Sequence, residues 1–172
     1  MQQDLVPEEM MGIGLGLVQY DRVEAAWAET HDRLWRAVFA WSGDPEVASD
    51  AVNEAFAQAL RRGDAIVDVS RWVWRSAFRI AAGALAAQRQ PRADDLVRVV
   101  RDSASLPDEV IALIDALQRL SEKDRQALVL SLVAGWSSSE IAREVGSTAG
   151  AVRVRVHRAR RRLRDELEVS DE

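Results

Sequence analysis

Apolar residues recur at helical spacing along most of the chain, and glycine, proline and capping residues separate the periodic segments. The first half contains three such segments, which predict helices over residues 21–41, 45–62 and 71–88. Asp44 followed by Pro45 is a typical start signal for the second helix, because aspartate can cap the first turn and proline fits its first position. The pattern therefore predicts a three-helix bundle.

The residues before the first helical segment are glycine-rich. Gly12, Gly14 and Gly16 form a GxGxG string within residues 1–20. No predicted strand precedes this string and no capped helix follows it, so a dinucleotide-binding loop is not expected. We interpret residues 1–20 as a flexible N-terminal leader.

A second group of helical segments follows residues 91–107, a charged stretch of small residues bounded by prolines, which is typical of a linker. Helical spacing resumes at Asp108, and Ser121 marks the start of a further helix. We expect four helices in a domain over residues 108–168, followed by a short tail at 169–172.

The clearest pattern of the chain lies between Trp136 and Arg164, where two helical segments are joined by a tight turn. Ser137 and Glu140 have the spacing of a capping box at the start of the first segment. Gly146 stands where a left-handed glycine ends a helix. The pattern predicts a short helix, a glycine turn and a longer helix.

The longer helix combines an apolar stripe with a basic surface. Thr148 is the expected cap, and the apolar positions at i, i+4, i+7 and i+11 are Val152, Val156, Ala159 and Leu163. Seven arginines and no carboxylate lie between Arg153 and Arg164. This arrangement indicates a helix-turn-helix, whose second helix enters the major groove and uses arginine for guanine and phosphate contacts. The alternative is a solvated amphipathic helix of an ordinary bundle.

The charge of the whole chain contrasts with that of this helix. The net charge is −5, which argues against unselective binding of nucleic acid by the whole surface. A local basic stripe on an acidic protein favours regulated DNA binding. Alanine, leucine, arginine and glutamate dominate and only four prolines occur, which favours an all-α fold.

The sequence offers little for catalytic chemistry. It has no cysteine, which excludes disulfides, thiol catalysis and cysteine-based zinc sites. His31 and His157 fall on different predicted helices, and no metal-ligand spacing, phosphate loop or nucleophile elbow occurs. The longest early apolar run, residues 10–18, is too short for a membrane span and lacks the basic flank of a signal peptide. We expect no enzyme activity, cofactor, metal or membrane anchor, and a cytoplasmic location.

Two surfaces of the first three helices carry further candidate binding residues. The second helix has an acidic patch, which taken alone is typical of a solvated face; its members are Asp50, Asn53 and Glu54. The third helix interleaves arginine with tryptophan, and its candidates are Trp72, Trp74, Arg75 and Arg79. Exposed aromatic and basic side chains together can bind single-stranded nucleic acid. We expect at least one of the two tryptophans to be exposed, although buried tryptophans beside solvated arginines are the simpler interpretation of this helix.

Two separated stretches resemble one protein family. Residues 115–167, DALQRLSEKDRQALVLSLVAGWSSSEIAREVGSTAGAVRVRVHRARRRLRDEL, resemble region 4 of bacterial group IV, or extracytoplasmic-function, sigma factors. Residues 34–60, LWRAVFAWSGDPEVASDAVNEAFAQAL, and 72–89, WVWRSAFRIAAGALAAQR, resemble their region 2. The resemblance covers about residues 21–168. It implies an all-α fold of two small helical domains: a region 2-like three-helix bundle at 21–90 and a region 4-like four-helix unit at 108–168.

The resemblance also implies a function and its residues. The protein would bind core RNA polymerase and direct promoter-specific initiation. The acidic patch of Asp50, Asn53 and Glu54 would dock on the β′ clamp, and region 4 would meet the β flap. The third helix would recognise the −10 element through Trp72, Trp74, Arg75 and Arg79, while the 63–70 loop would hold a flipped base. The recognition helix would read the −35 element through Arg153, Val154, His157 and Arg158, and bind phosphates through Arg155, Arg160, Arg161 and Arg162.

The family implies further partners besides polymerase and promoter DNA. An anti-sigma factor that covers both domains is one of them, whereas no obligate homo-oligomer is expected. The linker at 91–107 would thread toward the active-site and RNA-exit channels of the polymerase.

Several positions depart from the family pattern. Arg79 and Gly83 stand where the family usually has Asn and Asp, and Ala151 and Val154 replace a usual Thr and Ser. The −35 half is therefore closer to the pattern than the −10 half. This leaves two hypotheses: a sigma factor with an atypical region 2, or a stand-alone helix-turn-helix regulator with a degenerate region 2-like module.

Overall fold

The computed structural model describes residues 8–88 and 106–170 and places most of them in α-helices. The helices are α1 (Glu8–Ser42), α2 (Pro45–Arg62), α3 (Val69–Gln88), α4 (Asp108–Gln118), α5 (Glu122–Leu132), α6 (Ser138–Val145) and α7 (Ala149–Ser170). A 3₁₀ turn, Gly63–Ala65, joins α2 to α3. Neither of the two described ranges contains a strand, so the all-α prediction is confirmed. No helix within these ranges is apolar over a length that could cross a bilayer.

The first three helices pack against one another around an apolar core. Leu34 and Trp41 of α1, Val52 of α2 and Val73 of α3 are almost completely buried. Each contributing helix has its apolar residues along one side, as amphipathic helices around a shared core require. The predicted three-helix bundle is therefore confirmed.

The boundaries of α2 follow the signals in the sequence. One carboxylate oxygen of Asp44 accepts hydrogen bonds from the backbone N–H groups of Glu46, at 2.8 Å, and Val47, at 3.1 Å. Pro45 occupies the first helical position. Gly63 follows the last turn with a φ of +60°, a conformation that glycine adopts without strain.

The first helix begins earlier than the sequence predicted. It starts at Glu8 rather than near residue 21 and continues through Gly12, Gly14 and Gly16. Each glycine costs about 1 kcal/mol relative to alanine, but extending an existing helix adds one hydrogen bond per residue, so isolated glycines do not stop it. Residues 1–7, 89–105 and 171–172, which include parts of the predicted leader, linker and tail, lie outside the described residues.

The start of α3 also differs from the prediction. The helix begins at Val69 rather than at residue 71, and Asp68 caps it. A carboxylate oxygen of Asp68 accepts a hydrogen bond from the backbone N–H of Arg71 at 2.9 Å. A negative charge at a helix N-terminus interacts favourably with the helix dipole, so Asp68 also stabilises this end of α3 by its charge.

The last four helices form a second unit, in which α7 packs on α4, α5 and α6. Val152 and Ala159 of α7 are completely buried, while Val156 and Leu163 are half-buried against the same core. This confirms the apolar stripe predicted for α7. Helix α1 of the first unit also contacts α4 and α5, so the buried residues of both units form one continuous cluster.

Gly83 allows helix propensity to be tested in α3 without disturbing the packing. A Cβ at Gly83 would meet no heavy atom within 4 Å. We expect Gly83→Ala to raise the free energy of unfolding by about 0.5–1 kcal/mol, because alanine loses less backbone entropy on folding. The thermal midpoint should rise by roughly 2 °C, as measured by circular dichroism.

Gly63→Ala is the matched control for Gly83→Ala. A Cβ at Gly63 would also meet nothing within 4 Å, but Gly63 has a φ of +60°. Alanine is strained in that conformation, so Gly63→Ala should lower the thermal midpoint. The explanation fails if both substitutions shift the midpoint in the same direction.

Candidate nucleic-acid interface

Helices α6 and α7 form the helix-turn-helix that the sequence predicted. The Glu140 carboxylate accepts a hydrogen bond from the Ser137 N–H at 2.9 Å, and the Ser137 hydroxyl accepts one from the Glu140 N–H at 3.3 Å. These two bonds make the capping box. Gly146 ends α6 with φ +62° and ψ +48°, and the Thr148 hydroxyl accepts a hydrogen bond from the Ala151 N–H at 3.2 Å to cap α7.

The capping box also fixes the charge of Glu140. The backbone N–H and the hydroxyl of Ser137 donate hydrogen bonds that hold the pKa of the Glu140 carboxyl below its ordinary value, and Arg71 lowers this pKa further. Glu140 is therefore a carboxylate at neutral pH.

One side of α7 is exposed and carries the residues predicted to read the −35 element. Arg153, Val154, His157 and Arg158 are all exposed, and their spacing places them on neighbouring positions of the helix. Val154 is half exposed, at 50 % of its surface. Arginine side chains can pair with guanine, and an exposed apolar side chain between them suits a thymine methyl group.

The four arginines predicted to contact phosphates divide into two pairs. Arg160 and Arg161 are exposed on the same side of α7 as the base-reading candidates. Arg155 and Arg162 instead approach Asp124 of α5, at 3.4 Å and 3.8 Å. Arg155 is half-buried, so it holds α7 against α5 rather than pointing freely to solvent.

This role of Arg155 was missed in the sequence, where a basic residue on a basic helix was assigned to phosphate binding. The available signal was the seven-residue spacing of Arg155 and Arg162, which places both on one side of a helix. Their acidic partner, Asp124, lies on another helix, and helical spacing within α7 does not identify it.

The tryptophans of α3 differ most from their prediction. Trp74 is only 3 % exposed and packs against Phe78, with ring centres 6.3 Å apart, and Trp136, at 6.0 Å. Trp72 is half-buried, and the Arg62 guanidinium lies 5.7 Å from its ring centre. The expectation that at least one of the two is exposed is therefore wrong. Trp74 cannot stack on a base in this conformation, because packing against two aromatic rings buries its indole.

The two arginines predicted for the −10 element are exposed on α3. The Arg75 guanidinium donates a hydrogen bond to Glu144 of α6 at 2.8 Å. Arg79 lies one turn further along and lines a cleft of about 490 Å³ between the two helical units. Of the four residues predicted to contact the −10 element, the two arginines are thus exposed at the surface, whereas one tryptophan is buried and the other is half-buried.

The loop before α3 is held in place from α1. The Arg22 guanidinium donates hydrogen bonds to the carbonyl oxygens of Ile66, at 2.6 Å, and Val67, at 3.0 Å. The Val67 side chain is 93 % exposed. The backbone of the 63–70 loop is therefore held by hydrogen bonds from Arg22, while the apolar side chain of Val67 is exposed to solvent. The sequence reasoning missed Arg22, because nothing in local spacing connects it to residues more than 40 positions away.

The acidic patch of Asp50, Asn53 and Glu54 lies along one side of α2. Asp50 and Asn53 are exposed, and Glu54 is half-buried. The Glu54 carboxylate accepts hydrogen bonds from Gln58, at 2.9 Å, and Arg61, at 2.6 Å. The hydrogen bond from Gln58, together with Arg61, holds the pKa of the Glu54 carboxyl below its ordinary value. Glu54 is thus a carboxylate at neutral pH, and it is paired with Arg61.

A groove of about 520 Å³ extends from this patch onto α1; it is lined by His31, Asp32, Trp35, Arg36, Ser49 and Asn53. His31 stacks on Trp27 with ring centres 4.0 Å apart, and its Nδ1 lies 2.9 Å from Asp32. In the part of the chain that the structure describes, no group of three or more His, Asp or Glu side chains is arranged to hold a metal ion.

The all-α fold with its capped turn and exposed basic helix defines a helix-turn-helix DNA-binding protein. The family model described as Sigma-70, region 4, matches residues 111–163. The ECF RNA polymerase sigma factor SigL of Mycobacterium tuberculosis (strain ATCC 25618 / H37Rv) is 32% identical over 142 residues, which are 76% of this chain and 80% of SigL. The chain belongs to the extracytoplasmic-function family of RNA polymerase sigma factors.

Two further relatives agree with this family. The probable ECF RNA polymerase sigma factor SigI of Mycobacterium tuberculosis (strain CDC 1551 / Oshkosh) is 33% identical over 162 residues. That match covers 86% of this chain and 56% of SigI, so the chain spans little more than half of that relative. The sigma factor RpoE from Bartonella quintana, solved in complex with the anti-sigma factor NepR, is 25% identical with a TM-score of 0.59, over 79% of this chain and 90% of RpoE.

Proposed function

We propose that this protein binds core RNA polymerase and directs it to a set of promoters. The observation that carries the proposal is the exposed basic side of α7, displayed by a capped helix-turn-helix in a chain of this family. Catalysis stays with the polymerase, and the protein supplies promoter recognition without an enzymatic activity of its own. Its place of action is the cytoplasm, where polymerase and chromosome meet.

Helix α7 reads the −35 element. Arg153, Val154, His157 and Arg158 face the base edges, and Arg160 and Arg161 meet the phosphates. Arg155 and Arg162 contribute to phosphate binding only after they leave Asp124. The 108–168 domain also meets the β flap of the polymerase.

Helix α3 and the 63–70 loop of the 21–90 domain recognise the −10 element. Arg75 and Arg79 bind the backbone of the opened strand, and the braced loop with exposed Val67 receives an unstacked base. Trp72 and Trp74 support this surface from beneath. The departures at Arg79 and Gly83 imply a −10 sequence outside the usual preference of the family.

The acidic patch of α2 binds the polymerase. Asp50, Asn53 and Glu54 meet the β′ clamp, and the neighbouring groove between α1 and α2 extends the contact. An anti-sigma factor is a further partner, by analogy with the complex of RpoE and NepR.

A pull-down with purified bacterial core polymerase tests the proposal. We expect the wild-type chain to bind, and the double variant Asp50→Arg/Glu54→Arg to lose binding because it places positive charge where the patch is negative. Asp21→Arg/Glu24→Arg is the control, because it makes the same change in charge at exposed positions of α1. Absence of binding by the wild-type chain would contradict the proposal.

A further inference from the structure

One carboxylate of α5 lies between two arginines of the recognition helix α7. The Nε of Arg155 is 3.4 Å from one carboxylate oxygen of Asp124, and the Nη1 of Arg162 is 3.8 Å from the other. The two arginines are seven residues apart, which is two helical turns, so they lie on the same side of α7. Both oxygens of a single carboxylate therefore face guanidinium groups of the DNA-binding helix.

The two arginines lie at the edge of the buried side of α7. Arg155 comes three residues after Val152, and Arg162 comes three residues after Ala159, and both of these apolar residues are completely buried. Three residues turn an α-helix by about 300°, so each arginine is only about 60° from the buried stripe. The Arg155 side chain is 26% exposed and that of Arg162 is 64% exposed. The ion pair of Arg155 is therefore the better shielded of the two.

The backbone holds Asp124 in a defined position. Its N–H donates a hydrogen bond to the Ser121 hydroxyl at 3.2 Å, which caps α5. The next residue, Arg125, donates hydrogen bonds to the carbonyl oxygens of Leu117, at 3.4 Å, and Gln118, at 3.2 Å, and so fixes the start of α5 to the end of α4. The Asp124 carboxylate takes no part in the cap, so it stays available to α7, and its place in the first helical turn favours its negative charge.

We propose that Asp124 is an internal counterion that keeps Arg155 and Arg162 away from DNA phosphates and thereby limits the sequence-independent affinity of α7. A guanidinium that pairs with a carboxylate cannot pair with a phosphate in the same geometry at the same time. The other five arginines of this helix are exposed and have no ion pair within the described residues; they are Arg153, Arg158, Arg160, Arg161 and Arg164. The proposal rests on the DNA-binding part of the proposed function.

The number of available arginines matters because it sets how tightly a protein binds DNA of any sequence. Each neutralised phosphate releases counterions, so affinity rises with the number of phosphate contacts. A chromosome offers very many non-promoter sites that compete for the protein. With two of its seven arginines paired internally, α7 leaves such sites more readily, while the residues that read bases are unaffected.

Salt titrations of duplex binding by the full-length chain test the proposal. The probes are a fluorescent duplex of random sequence and a fluorescent duplex selected from a random library. Asp124→Asn should steepen the slope of log affinity against log salt by about 1–2, since one or two further phosphates are neutralised. It should bind both duplexes about twofold to tenfold more tightly at the same salt concentration, because no ion pair has to be broken first. The ratio of the two affinities should stay the same.

Three variants separate this effect from a change in net charge. Glu109→Gln removes one negative charge at an exposed position of α4 and should leave the slope unchanged. Asp124→Glu keeps the carboxylate and should behave like the wild type. Addition of Arg155→Gln/Arg162→Gln to Asp124→Asn should remove the gain in slope and in affinity. Circular dichroism should show the same helix content in all of these proteins, since the cap of α5 uses the backbone N–H at position 124.

The outcomes distinguish this proposal from the proposed function. An unchanged slope or weaker binding of Asp124→Asn, with a wild-type chain that binds both duplexes, would overturn the role of Asp124 and leave DNA recognition by α7 intact. A gain that persists after Arg155→Gln/Arg162→Gln would also contradict it, because other residues would then be responsible. Failure of the wild-type chain and every variant to bind either duplex would overturn both proposals. Failure of the polymerase pull-down alone would leave the role of Asp124 standing.

Discussion

Replacement of Trp41 by alanine is expected to lower the free energy of unfolding by about 3–5 kcal/mol, which is typical for loss of a buried tryptophan. Trp41 is 2% exposed and packs on Phe78 with ring centres 5.5 Å apart. Its removal leaves a cavity at the point where the core of the first three helices meets α4. The loss can be measured by urea denaturation followed by circular dichroism.

Trp27→Ala is the control for this prediction. Trp27 is on the same helix but 40% of its surface is exposed, although it contacts His31 and Phe56. Its removal should cost clearly less than that of Trp41, because less apolar surface returns to water. If the two variants lose the same stability, Trp41 is not the central packing residue of this junction.

Replacement of Arg153 or Arg158 by alanine is expected to weaken binding to a selected −35 duplex by about 1–3 kcal/mol and to relax the preference at one base pair. Both side chains are exposed on α7 and neither is held by an ion pair that the structure shows within 4 Å. Selection from a random duplex library, followed by titration of the selected sequence, measures both effects.

Arg161→Ala serves as the comparison, because Arg161 lies on the same exposed side and is assigned to the phosphates. It should weaken binding to all sequences about equally and reduce the slope of log affinity against log salt by about 1. Equal effects of Arg153, Arg158 and Arg161 on every sequence would show that α7 binds DNA without reading bases.

Features encoded within a few residues were predicted correctly. The caps at Asp44, Ser121, Ser137 and Thr148 are each confirmed by a hydrogen bond to a backbone N–H within three residues. The all-α fold and the family resemblance are confirmed as well. Local hydrogen bonding and helical periodicity are enough for these features, because both act over one or two turns of chain.

Features that depend on distant residues were not predicted. Trp74 is buried because Trp136 lies against it, and Arg155 turns inward because Asp124 is near. The hydrogen bond from Arg22 to the 63–70 loop also joins residues that are far apart in the sequence. The pattern within one helix does not identify a contacting residue on another helix. The sequence therefore predicted which side of its helix each residue lies on, but not which helix packs against that side.

Transcription from a library of random DNA duplexes by purified bacterial core polymerase, with and without this protein, tests the assignment as a promoter-recognition factor most directly. We predict RNA 5′ ends that depend on the protein and that share an upstream −35 sequence, whose preference changes in the Arg153→Ala variant. The same set of 5′ ends in the presence and absence of the protein would contradict the assignment.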